Sequence, residues 1–175
     1  DLSTFNTLNT YSLKDDKSIC TITNQILQAL LSLIKLNYVY LNLQPSNIIV
    51  SKFKPIKIKL IDLKYCQHLY DKKKTYRLYG YCSPEVIFQK KCYYNSDIWS
   101  LGCLIFFICT NTHLFSKKSY YYFDEILNFK GFSKNNIEKY NLTEFSYLLI
   151  KKCLINLHVM RPGHEEIIKF IEKYN

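Results

Sequence analysis

Two polar residues with side chains suited to metal binding flank a predicted β-hairpin in the first half of the chain. Asn47 precedes an apolar segment, residues 48–50, that is typical of a short strand. Residues 51–55 are typical of a turn, and residues 56–60 alternate apolar side chains with lysines, which predicts a second strand. Asp62 follows that strand, so both polar residues would converge at the open end of the hairpin, as a metal site built from both requires. The alternative is that Asp62 is a strand-end carboxylate and Asn47 a turn former.

Helices are predicted to position this hairpin. Apolar residues recur at helical spacing over residues 18–38, which predicts a long, largely buried helix that leads into the hairpin. Asp97 precedes a strongly apolar segment and is expected to N-cap the helix that begins there. Three further helices are predicted over residues 120–129, 143–154 and 163–174.

Composition favours a single intracellular globular domain. The chain has 175 residues, 48% of them hydrophobic, which is enough for one core. Its seven cysteines form no Cys-x-x-Cys pair and no zinc-type cluster, which indicates reduced thiols in the cytoplasm or nucleus. The longest strongly apolar run, residues 98–109, is shorter than the about 20 residues that a bilayer span needs.

The formal net charge of +10 comes almost wholly from lysine, because Arg77 and Arg161 are the only arginines. Lysine groups such as residues 72–74 would attract phosphate backbones or anionic membrane surfaces. The lysines are scattered over several predicted loops instead of lining one helix. We therefore favour a solvated lysine face over a nucleic-acid partner.

Five motifs follow one another along the chain. They are LNLQPSNIIV at residues 41–50, KLIDLK at 59–64, SPEV at 83–86, SDIWSLG at 96–102 and MRP at 160–162. In order and spacing they resemble the catalytic loop, the Asp-Phe-Gly, Ala-Pro-Glu and Asp-x-Trp-Ser-x-Gly motifs, and the arginine motif of the eukaryotic protein kinase superfamily. The resemblance covers almost the whole chain but only the large, C-terminal lobe of that family.

This resemblance implies a mainly α fold, in which a kinase-like helical bundle carries a short β-hairpin with the catalytic-type and metal-type loops. Residues 1–175 would form one such C-terminal lobe. The chain opens without methionine and shows no Gly-rich loop. We therefore expect a fragment of a longer polypeptide, with the small lobe absent from this chain. The resemblance also implies a buried ion pair between Glu85 and Arg161, and an Asp97 that holds the backbone of the catalytic loop.

The resemblance places altered residues at the catalytic positions. Asn42 stands where the family has the aspartate that accepts the proton of the substrate hydroxyl, and Gln44 where it has a lysine beside the transferring phosphate. A carboxamide has no basic form at neutral pH, and a neutral glutamine supplies no positive charge. Leu78 likewise replaces a threonine that contacts the catalytic aspartate in the family. These changes predict impaired catalysis.

The same resemblance assigns Asn47 and Asp62 to the magnesium ion bound to ATP. Lys64 replaces the glycine of the family's metal-binding turn. Its ammonium would either replace the charge lost at Gln44 or pair with Asp62 in place of the metal, and we favour the pair with Asp62. Binding of ATP and magnesium is accordingly expected to be weak or lost.

Three functional hypotheses are open. The first is a catalytically impaired pseudokinase that acts as a scaffold or allosteric regulator of a protein partner, such as an active kinase or a signalling protein. The second is a divergent Ser/Thr protein kinase that transfers phosphoryl groups from ATP to protein. The third is a basic interaction module, whose nucleic-acid binding would fall steeply with salt. We favour the first.

Overall fold

The computed structural model describes residues 5–8, 15–51, 54–71, 80–115 and 122–174. Its helices are α1 (Asp16–Ile34), α2 (Pro84–Gln89), α3 (Ser96–Thr110), α4 (Tyr122–Leu127), α5 (Asn135–Tyr140), α6 (Glu144–Cys153) and α7 (His164–Ile171). Its strands are β1 (Phe5–Thr7), β2 (Tyr38–Val39), β3 (Ile48–Ser51), β4 (Ile58–Leu60) and β5 (Gln67–His68). Short 3-10 helices span Pro45–Asn47, Leu63–Tyr65, His158–Met160 and Glu172–Tyr174. The described part of the chain is thus mainly helical, with two small antiparallel sheets.

Helix α1 begins at a side-chain cap and buries one face along its length. The Asp15 carboxylate accepts a hydrogen bond of 2.8 Å from the backbone N–H of Ser18. The buried face recurs at the three- and four-residue spacing of a helix and includes Ile19, Ile22, Ile26 and Leu30. The helix ends at Ile34, before the predicted residue 38, because Asn37 takes a left-handed conformation with φ of 61° and β2 follows.

Helix α3 lies at the centre of the core and is buried on all sides from Ser96 to Ile108. Gly102 allows α6 to approach it closely. A Cβ atom at Gly102 would lie 2.8 Å from Cβ of Cys153 and 2.8 Å from Cγ of Leu154, which is closer than carbon atoms pack. The missing side chain therefore sets the distance between α3 and α6.

The helices in the second half of the chain follow the predicted order. The helix predicted over residues 143–154 is α6, which Thr143 caps by accepting a hydrogen bond from the N–H of Ser146 at 3.1 Å. The helix predicted over 163–174 is α7 followed by a 3-10 turn, and the one predicted over 120–129 corresponds to the shorter α4. Helices α2 and α5 were not predicted, because each has only six residues and shows too little periodicity.

The predicted hairpin of β3 and β4 is present and has a third strand. Strand β3 lies between β1 and β4 and is antiparallel to both, with Ile49 opposite Thr7 on one side and Lys59 on the other. Strands β2 and β5 form a separate antiparallel ladder. Asn47 precedes β3 and Asp62 follows β4, so the hairpin brings these two residues together at its open end.

A buried ion pair joins α2 to the loop that precedes α7. Two nitrogens of the Arg161 guanidinium lie 2.8 Å and 3.0 Å from the two carboxylate oxygens of Glu85, and both side chains are almost completely buried. The Ser96 hydroxyl donates a further hydrogen bond of 2.8 Å to Glu85. The guanidinium also donates to the main-chain oxygens of Asn95, Ile155 and Asn156. Every charge in this cluster is therefore compensated inside the protein.

The pair makes Glu85 more acidic despite its burial. Burial alone raises the pKa of Glu85, but the hydrogen bonds and positive charge of Arg161 outweigh this effect and hold that pKa below its ordinary value. A carboxyl whose pKa is lowered by folding stabilises the fold above its unfolded pKa of about 4.3. That stability is lost as the pH falls through the lowered pKa.

None of the helices in the described ranges is long and apolar enough to cross a membrane. All seven cysteines lie in these ranges, and none of them forms a disulfide there.

We expect Arg161→Ala to lower the free energy of unfolding by about 3–5 kcal/mol, because it leaves a buried carboxylate unpaired. An unpaired, buried Glu85 would then favour its protonated form, so the loss should be largest at neutral pH and smaller below about pH 4. Urea denaturation at both pH values measures the change, with Lys169→Ala as an exposed control. Equal midpoints for Arg161→Ala and the wild type would show that the pair contributes nothing.

Candidate functional site

The loop before Asn42 is held from beneath by Asp97 of α3. The two carboxylate oxygens of Asp97 accept hydrogen bonds from the backbone N–H groups of Tyr40 and Leu41, each at 2.8 Å. Leu41 takes a left-handed conformation with φ of 58°. A bulky side chain rarely adopts this conformation, and the buried bonds to Asp97 fix the backbone that leads into it.

Asp97 is not the N-cap that its position in the sequence predicts. Asn95 occupies the N-cap position, and α3 already includes Asp97 in its first turn. The Asn95 side chain donates instead to the main-chain oxygens of His158 and Arg161. Asp97 therefore does not cap the helix, and its carboxylate binds the backbone of the catalytic-type loop instead.

Burial changes the acidity of Asp97. The pKa of Asp97 is raised to about 6, mainly because burial removes the carboxyl from water; the two backbone hydrogen bonds oppose this rise, and the nearby charge of Glu85 adds to it. Asp97 is 2% exposed, so its remaining partners are the two N–H groups of the loop. Its role is therefore to hold the loop.

The Asn42 side chain, fully buried, binds Asp62. Its amide nitrogen donates to the Asp62 carboxylate at 2.9 Å and to the Asp62 main-chain oxygen at 3.1 Å. Its amide oxygen accepts a hydrogen bond of 3.3 Å from the side chain of Gln44. Two oxygen acceptors on one side and an amide donor on the other fix the orientation of this carboxamide. The two altered catalytic positions are thus joined to the metal-type aspartate.

Asn47 completes the network. Its amide nitrogen donates to the main-chain oxygen of Asn42 at 2.8 Å, and its own main-chain oxygen accepts from the N–H of Ile61 at 2.9 Å. The structure therefore brings Asn42, Gln44, Asn47 and Asp62 together at the open end of the hairpin. Asn47 is 7% exposed, whereas Asp62 faces solvent in a left-handed conformation with φ of 60°.

The ion pair between Lys64 and Asp62 that the sequence favours is not formed. Lys64 and Asp62 both lie in the described ranges, and no ion pair within 4.0 Å joins them. The Lys64 ammonium lies instead 5.7 Å from the centre of the Tyr65 ring, and its side chain is exposed. An exposed lysine gains little from a single surface ion pair and loses rotamer entropy in forming it. The buried Asn42 amide provides the hydrogen bond to Asp62.

The donor set suits a hard cation in part. Asp62 offers a carboxylate, and Asn47 offers an amide oxygen whose nitrogen is already tied to the loop, which is the chemistry that magnesium accepts. The Asn42 amide already binds one Asp62 oxygen, so a cation would compete with that hydrogen bond. Within the described ranges, no group of three or more His, Cys, Asp or Glu side chains is arranged to hold a metal. A cation would depend on phosphate oxygens for its other ligands.

The sequence motifs did not identify Tyr40 as part of the site. Its fully buried ring lies just before the catalytic-type loop, and its hydroxyl donates to the main-chain oxygen of Ile61. Burial raises the pKa of the Tyr40 hydroxyl, so it remains a donor. Tyr40 thereby ties the loop before Asn42 to the end of β4. In the sequence, the signal for Tyr40 is a large aromatic residue between two short apolar segments.

Two sequence predictions lie outside the described residues. They concern Leu78, at the substrate-side position, and the lysine group 72–74.

Comparison with known proteins supports the same family. Residues 2–171 match the family model of the protein kinase domain. A probable dual specificity protein kinase YAK1 homolog of Encephalitozoon cuniculi is 31% identical over 124 residues, which cover 67% of this chain and 29% of that protein. The G2-specific protein kinase fin1 of Schizosaccharomyces pombe is 31% identical over 51% of this chain and 12% of its own. Human serine/threonine-protein kinase ULK3 is 29% identical over 61% of this chain and 23% of its own. The matched regions span less than a third of these relatives.

We expect Asp97→Asn to loosen the loop, because an amide offers one oxygen acceptor and presents a donor to the second backbone N–H. One buried N–H would lose its partner, at a cost of about 1–3 kcal/mol. Hydrogen exchange at the amides of Tyr40 and Leu41 measures the effect, with Asp124→Asn as an exposed control. Unchanged protection at both amides would show that the loop does not depend on Asp97.

Proposed function

This chain belongs to the protein kinase family, and we propose that within it the chain is a pseudokinase that acts as a scaffold or allosteric regulator of a protein partner. We assign residues 1–175 to the large lobe, because all five motifs are those of that lobe. Cysteines that form no disulfide in the described ranges are consistent with an intracellular site, either cytoplasmic or nuclear. An active kinase or another signalling protein is the proposed partner.

The hydrogen bond from Asn42 to Asp62 carries this proposal. In the family, the position of Asn42 accepts a proton and the position of Asp62 binds magnesium, and these two tasks require two anionic groups close to a cation. Here the position of the base carries an amide that donates to one oxygen of the Asp62 carboxylate, a contact that a second carboxylate could not make. The network supports a role in holding the fold.

The chemistry that remains at Asn42 is poor for phosphoryl transfer. A carboxamide cannot take up the substrate's proton, and loss of a positioned general base costs about 10² to 10⁴ in rate. Gln44 presents a neutral amide where negative charge would build up during transfer. Its nitrogen is in addition directed at Asn42. The two losses act by separate routes.

The second candidate is a divergent Ser/Thr protein kinase, which one observation favours. Asp62 is exposed, and the Asn47 nitrogen is engaged by the loop, so oxygens of both side chains are available for magnesium. Magnesium bound with ATP would neutralise charge on the phosphates. Asn47 and Asp62 would hold that ion weakly, since Asn42 competes for the carboxylate.

The nucleotide site is tested by thermal shift with ATP and magnesium. The pseudokinase hypothesis predicts no rise in melting temperature, because the Asn42 amide competes with the cation for the Asp62 carboxylate. Asp62→Ala is the matched variant, since it removes the carboxylate from an exposed position. If ATP and magnesium raise the melting temperature of the wild type but not that of Asp62→Ala, the nucleotide site is retained. That result would favour the second candidate.

The base position is tested by Asn42→Asp. Restoring the carboxylate should not produce phosphoryl transfer to a generic protein substrate if the site has lost its other parts.

The carboxylate introduced by Asn42→Asp would lie beside that of Asp62, so repulsion should lower the melting temperature more at pH 8 than at pH 5. Added magnesium should reduce this difference. Asn42→Ala, which loses the hydrogen bond without adding charge, should show no such pH dependence.

A gain of phosphoryl transfer in Asn42→Asp of about 10² or more would reject the scaffold role as the sole function. Absence of any pH-dependent loss would contradict the contact between Asn42 and Asp62.

A further inference from the structure

A groove of about 410 Å³ opens on the surface between two loops of the helical bundle. Residues 129–132 form one wall, and residues 154–157 with Met160 form the other. The Asn156 side chain donates a hydrogen bond of 2.7 Å to the main-chain oxygen of Phe129, which joins the two walls at one point. Gly131 has a φ of 91°, which favours glycine, and nothing lies within 4 Å of the position its Cβ would occupy. The groove is therefore open at this wall.

The second wall is anchored to the interior by Arg161. The guanidinium donates to the main-chain oxygens of Ile155 at 2.9 Å and of Asn156 at 3.3 Å while it binds Glu85. The loop is thus held by a buried ion pair. A wall fixed in this way would lose little entropy on binding a partner.

Large apolar side chains stand exposed along this wall. Leu157, Val159 and Met160 are 65%, 74% and 69% exposed, and they lie within four consecutive residues. Single exposed apolar residues are common on protein surfaces, whereas a contiguous group beside a groove marks an interaction surface. Leu157 and Met160 line the groove itself. Its occupant should therefore contribute apolar side chains.

The charge around the groove has one sign. Lys130 and Lys151 line it, both are exposed, and no carboxylate is among the lining residues. The Lys151 ammonium lies 5.7 Å from the centre of the Tyr147 ring, and no acidic side chain lines the groove beside it. Two lysines beside an apolar floor complement an occupant that carries carboxylates beside its apolar residues.

We propose that this groove, lined by Leu157, Met160, Lys130 and Lys151, binds a short acidic segment of a partner protein through leucine-type side chains. Two lysines beside an apolar floor are too few to follow a nucleic-acid backbone, which requires a row of cations. The proposal gives the scaffold role, on which it rests, a defined contact surface. That surface is separate from the network around Asn42.

The test uses two fluorescein-labelled synthetic peptides and the 175-residue chain. One peptide has the sequence Glu-Glu-Leu-Glu-Leu-Glu-Glu, and the other has lysine in place of each glutamate. Fluorescence anisotropy at low and high salt measures binding. We expect the acidic peptide to bind and to weaken as salt screens the charges. Reversing both charges, with Lys130→Glu and Lys151→Glu together, should weaken it by about tenfold and allow the basic peptide to bind.

The matched control reverses two exposed lysines elsewhere, Lys169→Glu with Lys173→Glu, and should leave both affinities unchanged. Leu157→Asp should weaken the acidic peptide as well, because it removes an apolar contact and adds a like charge. Melting curves check that each variant is folded.

The proposal is overturned if the acidic peptide does not bind, or if the control pair weakens it as much as the groove pair does. It is also overturned if a labelled uridine oligomer, and not the peptide, loses binding on reversal of Lys130 and Lys151. None of these results depends on the binding of ATP. Failure of the groove is therefore distinguishable from failure of the pseudokinase assignment, which the ATP thermal shift decides.

Discussion

Two consecutive residues at the beginning of α3, Ser96 and Asp97, connect this helix to the wall of the groove and to the catalytic-type loop. The Ser96 hydroxyl binds Glu85, and through it Arg161, while Asp97 binds the backbone before Asn42. Both residues are buried, so each of these polar groups would be costly without its partner. Because α3 is enclosed on all sides, it provides a fixed reference for the catalytic-type loop and for the wall of the groove.

The site keeps the sequence pattern of a kinase catalytic loop while changing its charge. A carboxamide occupies almost the same space as a carboxylate, so Asn42 fits a pocket that would also accept aspartate. Its nitrogen donates where a carboxylate could only accept, and this reversal is what allows the close contact with Asp62. The fold therefore does not require the anionic pair, and the interactions that position the loop are distinct from those that would perform chemistry.

The sequence predicted most long elements and the members of the site, but less about how those members interact. Periodicity located α1, α6 and α7 and the hairpin, whereas β1, α2 and α5 are too short to show a period. Asn95, Ser96 and Asp97 are all residue types that cap helices, and only the tertiary contacts decide that Asp97 faces the loop. Lys64 is near Asp62 in sequence, yet the buried Asn42, twenty residues away, forms the hydrogen bond. The groove joins loops separated by over twenty residues and has no local signal.

The contact at Gly102 also determines how this lobe can move. Packed helices in many proteins slide past one another by small amounts when a domain changes shape, and such sliding needs side chains that can exchange contacts. Here the backbone of α3 sits directly against Cys153 and Leu154 with no side chain between them. A shift of α3 along its axis would bring a residue with a larger side chain to the position of Gly102, against Cys153 and Leu154. At this contact we therefore expect α3 and α6 to resist sliding past one another.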